Sequence, residues 1–285
     1  MFDATSLFEG RAATLADGRA EIGFIADGGV TRLAHLYHHE PMRVLFPTPA
    51  TGDCLQAALV TTSGGLVGGD RLSIEVRTGR SARVQVSPQA AEKVYRSSGL
   101  DCRIDVALIA EAESWLEFLP QETILFNGAR LARATRIEAA PEARVLAGEM
   151  AVFGRIGRGE RFARGLFRDA WEVRRAGALM WTDALLLDGD IATPLEHPAG
   201  FDGATAAATV IYVGPDAPEQ LDAARRALID GETVRCGATV VNEVLVVRFL
   251  GRDARILRER FGHFWCEMRR TLAGLPTVLP RFWLI

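Results

Sequence analysis

Residues 71–108 read RLSIEVRTGRSARVQVSPQAAEKVYRSSGLDCRIDVAL. Leu72, Ile74 and Val76 alternate with polar residues, Val84 and Val86 repeat the pattern, and Ile104, Val106 and Leu108 repeat it again. A period of two sends successive side chains to opposite faces of a strand, so each run offers one apolar row for burial. Turn signals punctuate the chain at Asp27-Gly28-Gly29, Thr78-Gly79, Ser98-Gly99, Asn127-Gly128 and Asp188-Gly189. Many short strands without intervening helices predict a mainly β fold, built as a sandwich, a barrel or a β-solenoid-like stack. No repeat of fixed period runs through them, so a regular solenoid is not expected.

Most of residues 1–215 read as β, and two helices stand out in the portion 216–285. The first begins near Asp216, where Asp216-Ala217-Pro218-Glu219 supplies a capping acid, an early proline and a further acid. Leu221, Ala224 and Leu228 give it an apolar stripe. The second covers about residues 252–273, with Ile256, Leu257, Phe261, Phe264, Trp265, Met268 and Leu272 on one face. Asn242 to Leu250 reads as a strand between them. No Pro/Ser-rich linker divides the chain, so residues 1–285 read as a single domain.

The composition is that of a globular protein with a sizeable core, 48% hydrophobic and 24% charged. A net charge of −3 gives no electrostatic footprint for nucleic acid. The N-terminal stretch lacks the basic and apolar regions of a secretory signal, and no apolar run approaches the roughly 20 residues of a membrane span. The four cysteines, Cys54, Cys102, Cys236 and Cys266, lie far apart and read as reduced thiols, neither a disulfide framework nor a zinc site. Lys93 is the only lysine among 33 basic residues. It is a chance survivor of an arginine-rich composition or a place where a compact ammonium is required.

The most distinctive stretch is Thr61 to Asp70, TTSGGLVGGD. It lacks the Gly-Lys-Ser/Thr of a phosphate loop, and Thr61 stands where a nucleophile elbow around Ser63 needs glycine. The pairs Gly64-Gly65 and Gly68-Gly69 fit close backbone approach at a sharp bend, with Asp70 beside it. Three apolar stretches each carry acids: Glu117 and Glu122 in WLEFLPQETILF, Glu149 in VLAGEMAVFG, and Asp183 in LMWTDALLL. A buried acid must be paired, protonated or metal-bound, so these either line a polar passage or meet arginines. His35, His38 and His39 precede Glu40. On a helix their spacing would suit a metal ion, but Pro41 favours a strand or turn, where His35 and His39 stand about 13 Å apart and only His38 and Glu40, two positions apart, could share one. The loop Gly154 to Arg161 (GRIGRGER) reads as partner-facing. The closing apolar residues Phe282, Trp283, Leu284 and Ile285 must tuck into the core or dock on a partner.

Four stretches in this order, TSGGLVGGD (62–70), AAEKVYRSS (90–98), LEFLPQETILF (116–126) and PRFW (280–283), resemble the UreD/UreH family of urease accessory proteins. The resemblance runs from about Leu55 through Asp190 and resumes in the C-terminal helix and tail. It implies an elongated, β-rich, multi-stranded fold with two helices, and a cytoplasmic scaffold rather than a catalyst. It implies that the chain binds the urease apoprotein, recruits UreF and the GTPase UreG, and helps deliver nickel to the buried urease site. A passage through such proteins is the proposed nickel route, so transient nickel(II) is expected and no tightly bound cofactor. Carried over residue by residue, Asp70, Glu117, Glu122, Glu149 and Asp183 become candidate carboxylates for the route. Ser63, Gly64, Gly65, Gly68, Gly69, Lys93, Tyr95, Arg96 and Trp283 become candidates for motif or partner contacts. The sequence departs from the family at Ser87-Pro88-Gln89, where threonines are commoner, and in the GRIGRGERF loop. Neither nucleic acid nor membrane is an expected partner. Two other readings stay open: a carbohydrate-acting β protein with Glu117 and Glu122 as paired carboxylates, and a scaffold with no metal role.

Overall fold

The computed structural model describes residues 15–284. The stretch 1–14, part of the segment read as lacking a signal, and Ile285 of the apolar tail lie outside the described residues. In chain order the strands are β1 (Asp17–Asp27), β2 (Val30–His39), β3 (Met42–Leu45), β4 (Leu55–Thr61), β5 (Arg71–Thr78), β6 (Arg83–Pro88), β7 (Glu92–Val94), β8 (Cys102–Ala110), β9 (Trp115–Phe118), β10 (Glu122–Leu125), β11 (Arg130–Ala139), β12 (Arg144–Phe153), β13 (Arg164–Arg175), β14 (Ala178–Asp190), β15 (Ala206–Val213), β16 (Val234–Val241) and β17 (Val244–Gly251). The helices are α1 (Ala192–Glu196), α2 (Leu221–Ala227) and α3 (Ala254–Ala273).

The fold is β-solenoid-like. From β4 to β13 the chain passes back and forth between two sheets, and each pass lays its strand parallel to the one before. One sheet of seven strands has the order β14-β13-β11-β8-β5-β1-β2. The other, of ten strands, has the path β16-β17-β15-β12-β9-β6-β4-β3, with β10 and β7 paired beside it. In the first sheet Arg71 stands against Arg103, Ile104 against Arg133, and Leu131 against Phe167. These spacings differ from turn to turn, which is why no fixed period is visible in the sequence.

The apolar rows predicted from alternation face the space between the sheets. Leu72, Ile74, Val76, Ile104, Val106 and Leu108 are buried there against Val84, Val86, Leu116 and Phe118. The outer face of the ten-stranded sheet is covered in turn by α2 and α3, so Gln85, Ser87 and Glu117 are buried as well. Leu257, Phe261, Phe264, Trp265, Met268 and Leu272 of α3 form that second core with Trp115, Leu146 and Met150. Each such side chain, fully buried, contributes about 1.5–3 kcal/mol. Asp253 caps α3 by accepting from the Ile256 N–H at 3.0 Å, and Gly274 ends it in the left-handed conformation.

Several boundaries differ from the sequence reading. The first C-terminal helix starts at Leu221, after a 3-10 turn over Pro218–Gln220. Asp216 does not cap it, because its carboxylate accepts from the Tyr212 hydroxyl (2.6 Å) and from Gln220 (3.0 Å). Asn242 and Glu243 belong to a hairpin turn with φ of 43° and 63°, and the strand begins at Val244. Its partner β16, sequence VRCGATVV, is exposed along one face and carries little apolar signal. Asp188-Gly189 is no turn: β14 runs through it, with Gly189 opposite Gly165. A Cβ on Gly165 would stand 2.1 Å from the Ala129 carbonyl oxygen, so close approach explains that pairing. The strands β16 and β17 extend the ten-stranded sheet, so the portion after residue 216 shares a sheet with the portion before it. No helix of the described residues is long and apolar enough to cross a membrane.

Candidate functional site

Strand register decides where polarity enters the interior. Across the seven-stranded sheet one inward row runs Leu72, Ile104, Arg133, Asp169, and the next runs Ile74, Val106, Thr135, Trp171, Asp183. Each row starts apolar and turns polar in the later turns. Across the gap β12 contributes Glu149 and β10 contributes Thr123. Two cavities open along these rows: the first is lined by Leu72, Ile74, Ile104 and Val106 as well as by Arg133 and Thr135, and the second by Asp169, Trp171 and Asp183.

The first cavity holds about 210 Å³. Ser63, Gly64, Gly65, Glu92 and Lys93 lie at one end, and Thr123, Arg133, Thr135 and Glu149 at the other. The second holds about 510 Å³, with Glu149, Asp169 and Trp171 inside and Asp183, Arg235, Cys236 and Arg248 towards its exposed edge. Glu149 lines both. Each has room for several water molecules.

The junction is a charged triad. Arg133 donates to Asp169 at 2.7 Å and to the Thr123 hydroxyl at 3.0 Å, and it also donates to Glu149. Burial alone would lower the Arg133 pKa, but Asp169 and Glu149 together hold it above the usual guanidinium value. Burial would likewise raise Asp169, yet Arg133 keeps that carboxyl below its usual range. Burial pushes Glu149 well above the carboxylate range, and Asp169 adds to this while Arg133 opposes it. The three groups titrate as one unit, in which Asp169 is the stronger acid and Glu149 the weaker.

The glycine stretch and β7 build the mouth of the first cavity. Leu66 bridges the two segments by bonding on either side of Val94, its N–H to Lys93 O (2.7 Å) and its carbonyl to the Tyr95 N–H (2.8 Å). The Tyr95 hydroxyl donates to the Gly64 carbonyl at 2.7 Å. Gly65 has φ +146°, and a Cβ there would stand 2.6 Å from Tyr95 Cε2 and 2.7 Å from Lys93 O. At Gly68 a Cβ would meet Ser97 Oγ at 2.1 Å, and Gly69 has φ +98°. These are the close approaches expected of the two Gly-Gly pairs. Asp70 holds the bend by accepting from the N–H groups of Ala16 and Val67, both at 2.8 Å. Ser63 Oγ is buried without a partner. Lys93 is exposed on the rim, and Arg96 lies outside it with its stem against Gly128.

The other sequence-predicted acids lie elsewhere. Glu117 faces α3 and lines neither cavity. It accepts from Gln85 (2.7 Å), Trp115 (2.9 Å) and Trp265 (2.9 Å), and it pairs with Arg269 at 3.1 Å. Arg269 also binds Asp53 and the carbonyls of Pro276 (2.8 Å) and Val278 (2.9 Å). Glu122 pairs with Arg258, whose guanidinium lies 4.1 Å from the Trp283 ring. Trp283 is buried and donates to the Pro120 carbonyl at 2.7 Å, so the tail tucks in at this residue while Leu284 stays exposed. The paired-carboxylate reading of Glu117 and Glu122 loses its basis, because both are engaged by arginines on the helix side. Asp183 is paired with Arg248 at the rim of the second cavity.

The histidines lie on β2, a strand, with His35 on Glu21 (3.3 Å) and His39 on the Asp17 carbonyl (3.1 Å). Among the described residues no group of three or more His, Cys, Asp or Glu is gathered to hold a metal ion. The four cysteines are all free. The reading of single acids in apolar strands missed Glu92, Arg133 and Asp169. Glu92 sits beside the singled-out Lys93, but the alternation of RLARATRIEA and RGLFRDAWEVRR puts Arg133 and Asp169 inward only once the register is known.

A family model described as UreD urease accessory protein matches residues 16–284. A urease accessory protein UreD of Magnetococcus marinus is 45% identical over 98% of this chain and 98% of its own length. Those of Azorhizobium caulinodans and Xanthobacter autotrophicus are 39% identical over 95% and 97%, and 41% identical over 94% and 90%. A match over almost every described residue, joined to identities of this size along nearly the whole length of the relatives, places this chain in the UreD family of urease accessory proteins.

Proposed function

We propose that the chain is a non-catalytic, cytoplasmic scaffold of urease maturation that passes nickel(II) to the urease apoprotein through its two inter-sheet cavities. The observation that carries this reading is Glu149, which lines both cavities and joins a mouth with Glu92 and Lys93 to an edge with Asp183. Carboxylates and water exchange a divalent ion readily, whereas grouped thiolates would retain it. Glu92, Glu149, Asp169 and Asp183 are spaced along the route as successive weak ligands. Asp70, Glu117 and Glu122 serve the scaffold, holding the glycine bend and α3. The urease apoprotein, UreF and UreG are the partners in this reading. The mouth framed by Gly64, Gly65, Lys93 and Tyr95, and the rim at Arg96, are the surfaces offered to them.

The test is urease maturation in cells carrying the full urease cluster, with this chain intact, deleted, or substituted Glu149→Ala or Asp183→Ala. Deletion should leave urease protein present but poor in nickel. Each substituted chain should still co-purify with its partners yet give urease with several-fold less nickel. Full nickel content with both substitutions would remove the conduit and leave a scaffold with no metal role.

A further inference from the structure

We propose that Arg133 is the gate of the passage: it occupies Glu149 and Asp169 so that the junction releases a divalent cation, and the ion crosses by displacing the guanidinium from Glu149. This rests on the conduit reading and adds its control element. Two carboxylates from opposite sheets, Glu149 on β12 and Asp169 on β13, converge where the two cavities meet. Facing each other without a cation between them, they would grip a divalent ion from both sides. Arg133 stands between them instead, its side chain only 10% exposed, bonded to Asp169, Glu149 and Thr123. A guanidinium has no lone pair to offer a metal, so it cannot act as a ligand and can only compete for the carboxylates. Its charge opposes any cation entering from either cavity.

The geometry also sets the direction in which the gate yields. Asp169 neighbours Arg133 in strand register and Thr123 holds a second nitrogen, so two anchors remain when the contact to Glu149 breaks. Glu149 is the group facing both cavities, so it is the one carboxylate an arriving ion reaches from one side and leaves from the other. The guanidinium retains Asp169 during the exchange and reclaims Glu149 as the ion departs.

The experiment titrates the purified full chain with nickel chloride by calorimetry, with magnesium chloride as control. Arg133→Gln should bind nickel at least tenfold more tightly than the unsubstituted chain, and nickel should raise its melting temperature. Arg133→Gln with Asp169→Asn should return to within threefold of the unsubstituted affinity. A folded Arg133→Gln chain with unchanged affinity would overturn the gate, as would a double variant that binds as tightly as the single one. If Arg133→Gln lacks a melting transition, added nickel should restore it, and failure to do so also overturns the proposal. In cells Arg133→Gln should lower the nickel content of urease because the ion is retained. Cells lacking the chain test the conduit separately: normal urease nickel there would sink that reading while the binding comparison still decides what Arg133 does.

Discussion

Arg269→Met tests the claim that Glu117 serves the scaffold. Arg269 is fully buried and binds both oxygens of Glu117, the Asp53 carboxylate and two carbonyls of the segment after α3. Burial alone would lower its pKa, and Glu117 and Asp53 outweigh that and raise it. Methionine of similar length fills the space but leaves two buried carboxylates without a cation. Removing one partner of a buried ion pair costs about 3–5 kcal/mol. Glu117 keeps three neutral donors and Asp53 keeps the Cys54 N–H, which holds the loss for the whole cluster near the lower figure. The carbonyls of Pro276 and Val278 add about 1 kcal/mol or more if they stay buried. A total of about 4–5 kcal/mol is a large share of a stability of about 5–15 kcal/mol. At about 2 °C per kcal/mol for a chain this long, the melting temperature should fall by about 8–10 °C.

The assay is urea and thermal unfolding of Arg269→Met, Glu117→Gln and the double variant. Glu117→Gln removes one of the two stranded charges, so the double variant should be more stable than the two single losses summed, by about 1–3 kcal/mol. Urease maturation should fall only as far as the amount of folded chain falls. A loss below about 1 kcal/mol for Arg269→Met, or additive losses, would refute the hub. A stable Glu117→Gln chain that no longer supports nickel delivery would return Glu117 to the route.

Gly65→Ala places a Cβ against Tyr95 and the Lys93 carbonyl at φ +146°, so strain and overpacking together should cost about 3 kcal/mol; a thermal shift below 2 °C would contradict this. Burial raises the Glu92 pKa, opposed by the Thr61 hydroxyl and the Lys93 amide. The folded state then holds a proton that the unfolded chain has released, so its stability falls as pH rises from the unfolded pKa through the raised folded one. Glu92→Gln removes that loss, and its gain over the unsubstituted chain in urea should be larger at pH 8 than at pH 4; an equal or reversed difference would show that Glu92 ionises freely.

Most of the fold was legible because its signals are local. Alternation at Leu72–Val76 and Ile104–Leu108 survives in the structure, as does the apolar stripe of α3. Local signals failed where the answer depends on a neighbour. Asp188-Gly189 looks like a turn until Gly165 stands opposite it, and Asp216 looks like a cap until the Tyr212 hydroxyl claims it. The site follows the same division. Gly64-Gly65 and Gly68-Gly69 announced close approach by composition, and Glu149 stood out as an acid among apolar residues. Arg133 and Asp169 gave no such sign, because charges alternating with alanine and leucine look like a solvated face. Their inward direction follows from register with β8 and β13. Glu117 stood out for a sound reason, since a buried acid needs a partner, but that partner came from residue 269.

That distance has a consequence for synthesis. Asp53 and Arg269 are separated by 216 positions. At about 5–20 residues per second, about 10–40 s pass between their translation. Until α3 emerges, the part of the outer face that it covers stays bare, with Trp115 and Leu146 uncovered once made and two acids awaiting their cation. Such high contact order slows closure and prolongs exposure of sticky surface. Soluble yield should therefore depend on how quickly α3 is delivered after β17, and a nascent chain stalled before residue 254 should need a chaperone to stay in solution.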